Sequence, residues 1–127
     1  MGKLDLSFDR QVVAPTLAAT VIIVKEPRDG TSAFRVLCVK RSAGSAFLGG
    51  AVVFPGGKVS KEDLEMAQGD DDRAWRLAAC RETLEEAAIA LFASKNVNHA
   101  DAVRLQKALA DGTTYGGLLV AEGAKAD

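Results

Sequence analysis

Three carboxylates stand close together in the stretch RETLEEAA: Glu82, Glu85 and Glu86. On a helix, spacings of three and four residues make side chains neighbours, and like charges so placed cost roughly 0.2–0.5 kcal/mol per pair. Something should compensate. Arg81 can do so in part, because its guanidinium reaches Glu85 one turn on. A hard divalent cation would do so more fully, since magnesium takes oxygen ligands and retains waters and substrate phosphates in its shell. The plain competitor is a solvated acidic face, the usual fate of charged helix residues. Ala78 and Ala79 weigh against it, because they flank the acidic side with minimal bulk, as if another backbone approached there.

Those residues need a helix to hold them. Leu77, Cys80, Leu84, Ala88 and Leu91 recur at steps of three and four, which predicts a long helix from about Arg73 to Phe92 with one apolar stripe. The run GDDD ahead of it suits the positive end of the helix dipole. Before that, SKEDLEMA predicts a short helix in which Ser60 and Asp63 form a capping pair. Upstream, TLAATVIIV (Thr16 to Val24) and AFRVLCVKR read as two strands, a hairpin across the turn RDGTS. A third extended piece, AFLGGAVVFPGG, carries Val52, Val53 and Phe54 into a sharp turn at Pro55, Gly56 and Gly57. After the long helix, NHADAVRLQKALADG and TTYGGLLVAEG predict two more helices, with Asn98 and Thr113 as N-caps and Gly123 as a stop.

The segment FPGGKVSKED, followed by AACRETLEEAAIAL, resembles the Nudix box, the signature of hydrolases that cleave nucleoside diphosphates linked to another group. The box spans about residues 57–89, from Gly57 through Asp63 to Arg81, Glu82, Thr83, Leu84, Glu85, Glu86, Ala87, Ala88 and Ile89. Seventeen residues separate Asp63 from Arg81, ten more than in the usual pattern. This insertion and its flanks look like the branch containing the peroxisomal coenzyme A diphosphatases and their bacterial relatives. The resemblance implies an α/β fold, the Nudix-type α/β/α sandwich around a mixed sheet. It implies Mg2+ or Mn2+ held by Glu82, Glu85 and Glu86 with a backbone carbonyl of the turn, Gly56 or Gly57. It makes Glu82, Arg81 and Glu85 the catalytic group, Arg81 orienting the cluster by ion pairing, and sets Gly57 with Lys40 and Arg41 at the substrate phosphates. Ala88 stands where the box has glycine, and Arg73 where the uninterrupted box has its first acid, so that Asp63 or Asp72 must substitute. The later strands and closing helix of such a fold are not evident after the long helix, so the chain reads as the N-terminal portion of the domain.

The chain has 127 residues, 48 % hydrophobic and 26 % charged, with formal net charge -1, which is an ordinary profile for a soluble domain. The scattered basic residues offer no footprint for nucleic acid or an anionic membrane. Cys38 and Cys80 form no Cys-x-x-Cys pair and read as buried thiols of a reducing cytoplasm. His99 reads as a surface residue, and Trp75 and Tyr115 as packing residues.

Two readings follow. One is a metal-dependent hydrolase of a diphosphate bridge, with a coenzyme A or acyl-coenzyme A type substrate. The other is a non-catalytic remnant or nucleotide- and metal-binding module. In either case an uncovered sheet edge would invite self-association.

Overall fold

The computed structural model describes residues 14–28, 30, 33–45 and 48–126. Its strands are short: β1 (Ala18–Thr20), β2 (Val24–Lys25), β3 (Arg35–Val36), β4 (Val39–Lys40), β5 (Val52–Val53) and β6 (Gly56–Lys58). They fall on three extended segments, and each segment pairs with both of the others. The start of the first pairs with the end of the third (β1 with β6), its end with the start of the second (β2 with β3), and the second finishes against the third (β4 with β5). The expected hairpin is therefore present, with Val24 opposite Val36. All three ladders are antiparallel. A parallel pair, which the expected mixed sheet requires and which needs a long crossover, does not occur among the described residues.

One regularity governs these ladders. The bonds that bracket them run through Leu17, Val21, Ile23, Leu37, Arg41, Ala51, Pro55 and Val59, all odd-numbered. Side chains and backbone groups both alternate along a strand, so the odd residues turn inward and the even ones outward. Exposure agrees in the middle of the segments, where Val21, Ile23, Leu37, Val39 and Val53 are half-buried and Ile22, Val24, Val36, Cys38 and Val52 exposed, but not at Leu17 and Arg35, which are exposed.

Among the described residues four helices follow: α1 (Lys61–Ala67), α2 (Asp71–Ala87), α3 (His99–Ala110) and α4 (Tyr115–Ala121). Ser60 and Asp63 form the capping box of α1 as expected, and Asp70 caps α2 by accepting from the Arg73 N–H. Asn98 caps α3. The cap of α4 is Thr114 rather than Thr113, because it is the Thr114 hydroxyl that reaches the Gly117 N–H. Gly123 follows α4 in the left-handed conformation, in keeping with a stop. The core lies among the helices, with Leu77, Cys80 and Leu84 of α2 meeting Leu105, Tyr115, Leu118 and Leu119. On its other side α2 packs against β1 and β6, and Ala78 is fully buried.

Several expectations need correction. The long helix ends at Ala87, not Phe92, because Ala88 turns left-handed at φ 50°, ψ 46°. Leu91 therefore joins the core from the following loop and not as a helical residue. The glycine of the box stands where a helix C-cap requires positive φ, and alanine there bears a cost of roughly 1–2 kcal/mol. Cys38 is exposed, because it is an even residue of its strand, while Cys80 is buried. Trp75 is 42 % exposed and takes no place in the core, unlike Tyr115.

The two left-handed caps yield an expected result. Gln68, which ends α1 at φ 54°, is exposed, so Gln68→Gly should stabilise by about 1 kcal/mol without loss of packing. Ala88→Gly should gain less, since a buried methyl worth about 0.8 kcal/mol goes with it. Urea midpoints of the two variants against the parent check both sign and order.

Candidate functional site

Arg81 is the hub of the acidic cluster. It lies on the second half of α2, where the helix passes the turn into β6 and the start of α1. Its Nε and Nη2 donate to Asp63 Oδ1 and Oδ2 at 3.3 and 2.9 Å, its Nη1 to Glu82 Oε1 at 2.8 Å and to Glu85 Oε1 at 3.4 Å. Nη2 also donates to the Lys58 carbonyl at 3.0 Å. Burial alone would disfavour the Arg81 charge, but the hydrogen bonds to Asp63 and then Glu82 outweigh it, and its pKa stands above the usual arginine value. The compensation that the three glutamates demanded is thus partly an arginine.

Asp63 is the residue that motif reading left undecided. It is fully buried, accepts the Ser60 N–H at 2.8 Å, and receives both forks of Arg81. Asp72 takes no part; it pairs with Arg76 at 2.9 Å on the surface. A capping acid at Asp63 was apparent in the sequence, but its second task depends on a partner eighteen residues away.

Glu86 faces the opposite way along the turn. Its Oε2 accepts the Gly56 N–H at 3.1 Å. Gly56 has φ +154°, and a Cβ on it would run into the Ala19 carbonyl, so glycine is required there. Gly57 leaves the space that the Glu82 carboxyl group occupies. Gly57→Ala should therefore displace Glu82 from Arg81 while leaving the backbone intact, because the obstacle is the end of a flexible side chain. A shift of the Glu82 resonances with thermal stability within about 1 kcal/mol of the parent is the expected result, and an unfolded variant would contradict it.

The outward backbone groups of β6 are thereby claimed by α2, Gly56 N–H by Glu86 and Lys58 C=O by Arg81. A cleft of about 260 Å³ opens beside Glu86, lined by Val39, Lys40, Arg41, Ser42 and Ser45. Arg41 is half-buried and donates to the Ser45 hydroxyl at 3.3 Å, whereas Lys40 is exposed. On the other flank Gln106 of α3 donates to the Glu85 carbonyl at 2.7 Å, at a second, more apolar cleft of about 500 Å³. The structure thus brings Gly56, Gly57, Arg81, Glu82, Glu85 and Glu86 together, and sets Lys40 and Arg41 on the cleft that Glu86 shares.

Three carboxylates, Asp63, Glu82 and Glu85, share one guanidinium, Glu86 stands nearby on the Gly56 N–H, and the surplus is negative. Burial holds the Glu85 pKa above the usual carboxylate value, against the pull of Arg81 and with a smaller push from the Glu82 charge. No three acidic, His or Cys side chains among the described residues converge into a ready metal cage. Magnesium needs less, since one or two carboxylates suffice when waters and substrate phosphates complete the shell. Hard oxygen donors with surplus negative charge, beside a glycine turn, fit that mode.

The chain is similar to a solved NUDIX hydrolase from Alicyclobacillus acidocaldarius, with TM-score 0.65 and 28% sequence identity over 91% of this chain. It spans 58% of the length of that protein. No protein-family model and no curated protein match it. The α/β fold is thus of the Nudix type. Among the described residues no helix is long and apolar enough to cross a membrane.

Proposed function

We propose that the chain belongs to the Nudix hydrolases and carries the catalytic box of a Mg2+- or Mn2+-dependent enzyme that hydrolyses a diphosphate bridge in a nucleotide derivative. The observation that carries this reading is the shared cleft: Glu86, anchored on the Gly56 N–H, faces the same space as Arg41 and Lys40. A carboxylate that can hold a cation and cations that can hold phosphate oxygens then flank one small volume, as a pyrophosphate requires. The similarity to a NUDIX hydrolase supports it.

Glu85 and Glu86 would hold the metal, with Glu82 kept in place by Arg81 as a further ligand or base. When bound, the metal neutralises charge on phosphate oxygens and lowers the pKa of water. Arg41 binds the non-reacting phosphate, and Lys40 at the cleft mouth strengthens its capture. Arg81 is a positioning residue, because its guanidinium donors are spent on Asp63, Glu82, Glu85 and the Lys58 carbonyl. A coenzyme A type substrate is the class that the flanks of the box favour, and two cysteines outside any disulfide suit a cytoplasmic setting.

The test is a panel of phosphomonoesters, phosphodiesters and diphosphates, including coenzyme A, assayed with Mg2+ and Mn2+ in 18O-labelled water. Hydrolysis of a diphosphate with label in one phosphate product is the expected result. Metal binding by calorimetry without turnover of any diphosphate would favour the binding-module reading instead.

A further inference from the structure

Glu85 and Glu86 are consecutive, and consecutive residues of a helix diverge by about 100° around its axis. They therefore open onto different clefts, Glu86 onto the one it shares with Lys40 and Arg41, Glu85 onto the one beside α3. The second is nearly twice as large, about 500 Å³ against 260 Å³. Its walls are Val103, Leu109 and Ala110 with the stem of Lys107. The Lys107 ammonium is engaged by Asp111 at 2.7 Å, and the Gln106 amide N–H by the Glu85 carbonyl, also at 2.7 Å. That carbonyl belongs to the last turn of α2, where carbonyls lack a partner within the helix. Gln106 thus fixes α3, and the cleft with it, against the residue that carries a proposed metal ligand.

A diphosphate bridge carries one substituent on each phosphorus, and a bridge held by Glu85 and Glu86 has one cleft for each. The two clefts differ in what they can bind. The Glu86 cleft offers Lys40 and Arg41 to phosphate and hydroxyl oxygens. The Glu85 cleft offers no uncommitted cation and, among the described residues, no aromatic face on which a base could stack. What it offers is aliphatic surface, with Val103 43 % exposed. We propose that the cleft between Glu85 and α3 receives the second substituent of the diphosphate, and that this substituent is an aliphatic group rather than a nucleobase. The inference rests on the hydrolase reading and narrows its substrate class to a diphosphate with its nucleotide half toward Lys40 and Arg41 and its aliphatic half on α3.

A series of n-alkyl diphosphates from methyl to octyl, titrated calorimetrically with Mg2+ present, reads the cleft directly. The dissociation constant should fall about two- to fourfold with each added methylene, because full burial of one is worth about fourfold. Val103→Asn should flatten the series by polarity and Ala110→Trp by bulk, and both positions are exposed, so either change is compatible with the fold. Neither should alter the affinity for methyl diphosphate by more than about twofold. The Val103 and Leu109 methyl resonances should shift with octyl but not with methyl diphosphate. A series that is flat in the parent, or that keeps its slope in both variants, would overturn this inference alone. Failure of every diphosphate to bind would overturn it together with the hydrolase reading. Methyl shifts that grow with protein concentration in the absence of any diphosphate would place a second copy in the cleft and overturn it as well.

Discussion

Arg81→Met is expected to destabilise the protein by roughly 3–5 kcal/mol, the largest effect of any single substitution proposed for it. The magnitude comes from what is left behind. Asp63 is fully buried and loses both donors of the guanidinium fork, keeping only the Ser60 N–H of its capping box. A buried carboxylate stripped of its partner must remain charged at high cost or take up a proton. Glu82 and Glu85 lose their common cation in the same step. Arg81→Lys should recover little, because one ammonium cannot span Asp63, Glu82 and the Lys58 carbonyl. Adding Asp63→Asn to Arg81→Met should restore a substantial part of the loss, since asparagine keeps the cap without the charge. Urea unfolding of the parent, Arg81→Met, Asp63→Asn and the double variant measures the cycle. Equal stability of Arg81→Met and the parent would mean that the fork is not a structural hub.

Glu86→Gln is expected to leave the fold unchanged and to reduce metal-dependent hydrolysis at least about a hundredfold, near 3 kcal/mol of barrier. Glutamine can still accept the Gly56 N–H, so the contact between α2 and the turn survives while the negative charge goes. Calorimetric affinity for Mg2+ or Mn2+ should fall with the rate. Glu85→Gln should weaken metal binding too, yet with a different stability signature. The Glu85 pKa is raised, so its contribution is fully present below the ordinary carboxylate range and is lost as pH rises through the raised value. Without metal, glutamine at 85 should therefore be at least as stable as the parent at neutral pH, and glutamine at 86 should be neutral. Unchanged metal affinity in both variants would remove the ligand assignment.

These two results separate the structural half of the cluster from the chemical half. Arg81 and Asp63 face the protein interior and hold α1 to α2, whereas Glu86 and Glu85 face clefts. The carboxylate crowding at the end of α2 is a local strain that Arg81 relieves only in part. Such residual strain is what a bound cation would use.

The residues themselves determined the features that depend on neighbours a few positions away. The stripe at Leu77, Cys80 and Leu84, the capping box of Ser60 and Asp63, the Asn98 cap, the reach of Arg81 to Glu85 and the hairpin of β2 with β3 all follow from helix and strand periodicity and from short-range hydrogen bonding. Tertiary structure decided the rest, because long-range partners set it. Asp63 became the mate of Arg81 only when α1 folded onto α2, and Glu86 met the Gly56 N–H across thirty residues. The end of α2 at Ala87 escaped periodicity, since alanine does not announce a left-handed cap as glycine would. Cys38 and the outward edge of residues 34–40 were undetermined for the same reason: alternation shows that a strand has two sides, but only the register of its partners says which one faces the protein.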